Sequence, residues 1–148
     1  MSESSNTEAE RAARDLERLV HEMAAPPFHD LLRPQAVSVD PKDRSVVVRL
    51  PFRPELCGSR EQSFFHGGVI ASLIDLAGHA AVAIQVGHAV PTIDLRVDYM
   101  RAATGGDLIA TGRALSVGSS IGRADVEVRS EDGRLVAVGR GVFSTLKR

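Results

Sequence analysis

The stretch that decides the fold is HGGVIASLID, His66 to Asp75. It opens an apolar segment, VIASLIDLAGHAAVAIQV, that runs on to Val86. Two of its residues work against a plain apolar helix. Glycine forms helices poorly, and a carboxylate set among apolar side chains needs a partner. The spacing is nonetheless helical. Val69, Leu73, Leu76, Ala80 and Ile84 make one stripe, and Gly68, Ser72, Asp75 and His79 make a second at steps of four, three and four. A helix from about His66 to Gly87 follows, with small residues, an acid and a histidine sharing one of its faces.

Outward from that helix the pattern changes to strands. Upstream, AVSV and SVVVRL are strand-like and joined by the turn Asp40-Pro41-Lys42-Asp43. Downstream, PTIDLRVDYM alternates, with Ile93, Leu95, Val97 and Tyr99 on one face and Asp94, Arg96 and Asp98 on the other. GRADVEVRS repeats this, with Ala124, Val126 and Val128 opposite Arg123, Asp125, Glu127 and Arg129. Glu131-Asp132-Gly133 reads as a hairpin turn into LVAVGRGVF. Strands with two unlike faces belong to an antiparallel sheet that is wet on one side.

Near the start of the chain, Thr7-Glu8-Ala9-Glu10 has the form of a capping box. Ala12, Leu16, Leu19, Val20 and Met23 then recur at helical spacing until Pro26-Pro27. The order is helix, two strands, long helix, four strands. An apolar helix needs a cover, and a sheet with one apolar face provides it by wrapping round. The expected class is α+β, a hotdog fold: a curled antiparallel sheet around one central helix. Residues 1–27 form an added amphipathic helix and residues 28–148 the hotdog domain.

A length of 148 residues fits one domain. The net charge of −1, with acids and bases interspersed, gives no electrostatic footprint for nucleic acid. The single Cys57 excludes an internal disulfide. The segment MSESSNTEAE lacks the basic start and apolar centre of a signal peptide, so a cytoplasmic location is expected. The run Val69–Val86 is long enough to raise the question of a membrane. It carries Asp75, His79 and Gln85, which are costly in hydrocarbon, so a buried helix is the expectation, with no membrane partner.

The helix start suggests chemistry. Unpaired backbone N–H groups gather there with about half a positive charge, and glycine lets a ligand approach them. Gly67-Gly68 is therefore a candidate holder for an oxygen that becomes negative during reaction. An aspartate carboxyl ordinarily titrates near about 3.9, and its ionised form can attack a carbonyl or deprotonate water. Oxyanion donor and carboxylate together describe acyl transfer to water. The two lie eight residues apart, about 12 Å along one helix at a rise of about 1.5 Å per residue. One carbonyl cannot touch both, so a site using both takes them from two antiparallel helices in a homodimer. His66 and His79 are candidate substrate contacts with structural alternatives: packing at the helix entry for His66, and a hydrogen bond to Asp75 for His79.

HGGVIASLID, followed by PTIDLRVDYMRAA with Tyr99-Met100, resembles the hotdog acyl-CoA thioesterases of the phenylacetate-degradation type, relatives of 4-hydroxybenzoyl-CoA thioesterase. The resemblance runs from about Phe28 to the C-terminus. It implies that the amide of Gly67 polarises the thioester carbonyl. It implies that Asp75 is nucleophile or general base, acting across a dimer interface, and that Thr92 helps place the water or the carboxylate. It also implies a dimer of dimers. Where that family often has Asn or Gln, six residues before the histidine, this chain has Arg60, with Gln62 nearby as a substitute.

The remaining motifs carry less. Gly118-Ser119-Ser120-Ile121-Gly122 fits G-x-S-x-G, but it lies between two strands and reads as a hairpin. The histidines and Cys57 have no metal-ligand spacing, and no cofactor is expected beyond the coenzyme A of the substrate. Arg123, beside a glycine-rich turn, is a candidate for its phosphates. Two other activities share the fold: a hydratase or dehydratase, which needs a differently spaced His and acid, and a non-catalytic acyl-CoA-binding module, which does not need Asp75.

Overall fold

The computed structural model describes residues 2–148. Helix α1 (Ser2–Ala24) and the short α2 (Pro27–Leu32) come first. Strands β1 (Gln35–Asp40) and β2 (Ser45–Leu50) and a single 3-10 turn (Pro54–Leu56) follow. Then come the long helix α3 (Gly67–Val86) and strands β3 (Thr92–Tyr99), β4 (Leu108–Val117), β5 (Ile121–Ser130) and β6 (Leu135–Ser144). The six strands form one antiparallel sheet in the order β1-β2-β4-β5-β6-β3, curled around α3. The expected hotdog architecture is the observed one.

The local signals act as their chemistry dictates. Asp40 Oδ1 accepts from the amides of Lys42 and Asp43 at 2.9 and 3.1 Å, which closes the β1–β2 turn. Gly87, at φ +80°, ends α3 in the left-handed region, and its amide reaches Ala83 O. The Gly118–Gly122 segment is a hairpin between β4 and β5, closed by Gly118 N–H on Ile121 O at 2.9 Å.

The core lies between α3 and the inner sheet face. Ala124, Val126 and Val128 of β5 are buried, as the alternation requires, against Leu73, Ile74, Ala77 and Ala81 of α3. Helix α3 is the one described helix long and apolar enough to cross a membrane, and 61% of its apolar window is buried by the rest of the chain. It is the core helix of the sheet. The contact is very close. A Cβ on Gly112 of β4 would stand 2.5 Å from the Ala77 carbonyl oxygen, and one on Gly139 of β6 would stand 2.5 Å from Ile74.

Three expectations need correction. Helix α1 is already formed at Ser2, so Thr7 and Glu10 lie in its body and the capping box is not used; Glu10 instead accepts from Asn6 one turn earlier. Leu19 and Met23 of α1 are buried, but Val20 is 54% exposed, because the helix touches β1 and α3 along a narrow stripe. On β3 only Leu95 and Val97 are half-buried, while Ile93 and Tyr99 are more than half exposed. Strand β3 is the edge of the sheet, and a register shift between Thr92 and Asp94 interrupts its alternation.

Gly112→Ala places a methyl group 2.5 Å from the Ala77 carbonyl oxygen of the buried helix face. It should lower stability by about 1–3 kcal/mol, the usual cost of overpacking. The check is the urea midpoint at unchanged slope.

Candidate active site

The start of α3 is built by the loop before it. His66 N–H donates to Leu56 O at 2.8 Å and Phe65 N–H to Ala103 O at 3.0 Å, which pins the chain where the helix begins. His66 is the N-cap. Its Nδ1 accepts from Gly68 N–H at 2.8 Å, so its ring proton sits on Nε2. Its carbonyl accepts from Val69 and Ile70 N–H. Of the first four helix amides, Gly67 N–H alone has no partner among the described residues. His66 does the capping, the Gly68 amide is occupied by that cap, and Gly67 holds the open donor.

Tyr99, which alternates with Leu95 and Val97 on one strand face, adds a contact at the helix start. Its hydroxyl donates to Gly67 O at 2.6 Å, and its ring lies 3.5 Å from the position of a Gly67 Cβ. A signal was available: this is the chain's only tyrosine, and a tyrosine on an apolar strand face still needs a partner for its hydroxyl.

Two turns further on, Thr92 Oγ1 donates to Asp75 Oδ1 at 2.7 Å. Asp75 is half-buried and Thr92 exposed, so the second carboxylate oxygen remains open to a reacting group. One turn beyond, His79 Nε2 accepts from Val90 N–H at 3.2 Å, while its Nδ1 stands 3.5 Å from Glu22 Oε2 on α1. Burial pushes the His79 imidazole below its ordinary pKa, against the pull of Glu22 and Asp75. His79 also borders a groove of about 620 Å³ between α1 and the second half of α3, shared with Arg18, Glu22, Ala83 and His88.

The other candidates are more distant. Gln62 and Arg60 line a hollow of about 630 Å³ in the loop before the helix, and its Gly58 wall abuts the His66 Cα. Arg123 stands on the solvent face of β5, next to Gly122, which packs on Val82 in the second half of α3. Within one chain it is not brought to the helix start. Along α3, Gly67 and Asp75 keep the separation of about 12 Å that the helical rise sets. Glu22 was not legible as part of this region, because nothing in the sequence says which face of α3 an N-terminal helix will cover.

Comparison with known proteins adds an independent line. A family model described as the thioesterase superfamily matches residues 62–137. A protein of Halobacterium salinarum named as an esterase is 38% identical over 131 residues, 80% of this chain and 86% of that protein. A medium/long-chain acyl-CoA thioesterase of Salmonella typhimurium is 35% identical over 109 residues, 62% of this chain and 68% of that protein. The solved structure of a protein from the thioesterase superfamily superposes with a TM-score of 0.83 at 37% identity, covering 88% of this chain and 98% of the other.

The cap can be tested by itself. His66→Ala leaves Gly68 N–H without an acceptor and should cost about 1 kcal/mol, as cap removal does elsewhere. His66→Asn supplies a capping oxygen and should keep most of that stability. Denaturant midpoints of the three proteins decide it.

Proposed function

The chain belongs to the thioesterase superfamily, and from that premise we propose that Gly67, Asp75 and Thr92 are the groups with which it hydrolyses an acyl-CoA thioester to free acid and coenzyme A. The observation that carries this is the helix start, where three of the first four amides are spent and the Gly67 amide is not. The thioester carbonyl oxygen accepts from Gly67 N–H, which favours the charge that develops there. Thr92 fixes one oxygen of Asp75. The other attacks the carbonyl carbon, or takes a proton from the water that does. The C–S bond then breaks, and the coenzyme A thiolate leaves and takes up a proton; where Asp75 has attacked directly, water then hydrolyses the mixed anhydride, releasing the acid and restoring the carboxylate.

The separation along α3 requires a second copy of the chain. Strand β3 pairs only with β6, so its other edge is open, and Ile93, Tyr99 and Met100 are exposed along it. An open edge with apolar side chains invites a partner strand. Two β3 edges joined antiparallel about a two-fold axis lay two α3 helices side by side. Gly67 of one protomer then comes near Asp75 of the other, in an obligate homodimer that can pair again as a tetramer. The medium- and long-chain substrates named for the Salmonella typhimurium relative set the first acyl-CoA esters to assay, with aryl esters as the contrast.

Asp75→Asn keeps shape and removes charge. Its kcat should fall by about 10²-fold or more with KM nearly unchanged, the scale of acid–base catalysis. Undiminished turnover in a folded Asp75→Asn protein overturns the assignment. Gly67→Val should also lose activity, because its branches crowd the approach to the amide beside the Tyr99 ring. Refolded together, the two inactive proteins should regain about a quarter of wild-type activity: about half the dimers are mixed, and each mixed dimer has one intact site of two. Recovery near zero with verified subunit exchange refutes the shared site.

A further inference from the structure

Resting on that reading of Asp75 and Thr92, we infer that His79 is a positioning residue for the reaction: it anchors the Val90 amide so that Thr92 delivers its hydroxyl to Asp75, and Glu22 of the N-terminal helix holds the imidazole in the tautomer this requires.

The argument starts at the turn after the helix. The chain leaves α3 at Gly87 and re-enters the sheet at Thr92, opposite Phe143 of β6, so residues 88–91 and that pairing together set where Thr92 stands. Residues 88–91 lie outside the strands, but Val90 is 0% exposed, and a buried amide needs an acceptor. His79 Nε2 provides it at 3.2 Å, from the helix face that carries Asp75 one turn earlier. Val90 is followed by Pro91, whose ring fixes φ and whose carbonyl accepts from Ser144 N–H at 2.8 Å on β6. The link from Val90 to Thr92 is therefore stiff and held at both ends. β6 holds Thr92 from one side, and what fixes Val90 holds it from the other, with its hydroxyl 2.7 Å from Asp75.

The imidazole has one state that fits. An amide N–H pointing at Nε2 requires a lone pair there, so the ring proton sits on Nδ1, facing the Glu22 carboxylate at 3.5 Å. A protonated ring would turn an N–H toward the N–H of Val90. Burial favours the neutral ring, helped by His29 on α2, while Glu22 on α1 and Asp75 on α3 oppose it. The Phe143 ring of β6 packs edge-on at a centroid distance of 6.3 Å and closes the remaining side. Helix α1 thus touches the His79 ring through Glu22, while its Arg18 bonds the Ile84 carbonyl further along α3.

Three measurements test this. In wild-type protein labelled with ¹⁵N, the His79 ring should show the Nδ1–H tautomer at neutral pH; the Nε2–H tautomer overturns the inference without any variant. His79→Met keeps bulk and removes a good acceptor. It should lower kcat by about 10-fold at near-constant KM, a modest share of what misplacing a reacting group costs. His79→Gln, whose Oε1 can accept from Val90, should restore most of that loss; equal kcat in the two variants overturns the acceptor role. The third is a double-mutant cycle with Thr92→Val. Because His79 acts through Thr92, His79→Met should cost no more than about 2-fold in the Thr92→Val background. Full additivity, or a raised KM at constant kcat, overturns the inference in favour of a substrate contact or general packing. Activity surviving in Asp75→Asn would instead sink the catalytic reading on which it rests, so the two failures are distinguishable.

Discussion

The structure depends on how close α3 lies to the sheet. At Gly112 a strand comes so near the Ala77 carbonyl that no side-chain atom fits between them, and Gly122 and Gly139 make room for the Val82 and Ile74 side chains of α3. Strand backbone packed this closely on the helix at three places leaves it little freedom to slide or roll. Its rotation decides which residues are buried and which remain. Ile70, Ile74, Ala77 and Ala81 go inward, and the stripe of Gly68, Ser72, Asp75 and His79 is left half-buried or exposed. The candidate site is the part of the central helix that its own sheet does not cover.

That remainder is spare in its donors. His66 and its carbonyl consume the amides of Gly68, Val69 and Ile70, and one N–H is left to face a ligand. A single oxyanion donor is worth about 10²–10³ in rate where it has been measured. Thiolate is a good leaving group, so a thioester asks less of its enzyme than an amide does. One donor and one carboxylate suit the bond that this family cleaves.

Much of this was legible because the signals were local. The glycine after Val86, the hairpin at Gly118–Gly122, and the alternation of Ala124, Val126 and Val128 each report their own backbone, and each is found as read. The pairing of Thr92 with Asp75 was legible too, through the family resemblance. What escaped depends on tertiary placement. Tyr99 alternates with core residues, yet it sits on an edge strand and turns to the helix start. Val20 has the right spacing for a helical stripe, but α1 covers only a narrow strip of its neighbours. Thr7 and Glu10 spell a cap at a place where the helix has already begun. Glu22 meets His79 because α1 crosses α3 at one particular point, and a one-dimensional pattern cannot encode a crossing.

Strand β3 runs antiparallel to α3 and touches it through both of its ends. Thr92 at the first holds Asp75, and Tyr99 at the last holds the carbonyl of Gly67. The strand behaves as a splint, bound on one side to β6 and strapped to the helix at two points. Edge strands are the first part of a sheet to fray. In a lone protomer β3 can peel away, and Asp75 and the Gly67 carbonyl then lose their restraints together rather than one after the other. A second strand laid along this edge would remove that freedom, and slower amide hydrogen exchange along residues 92–99 on dimer formation reads it directly.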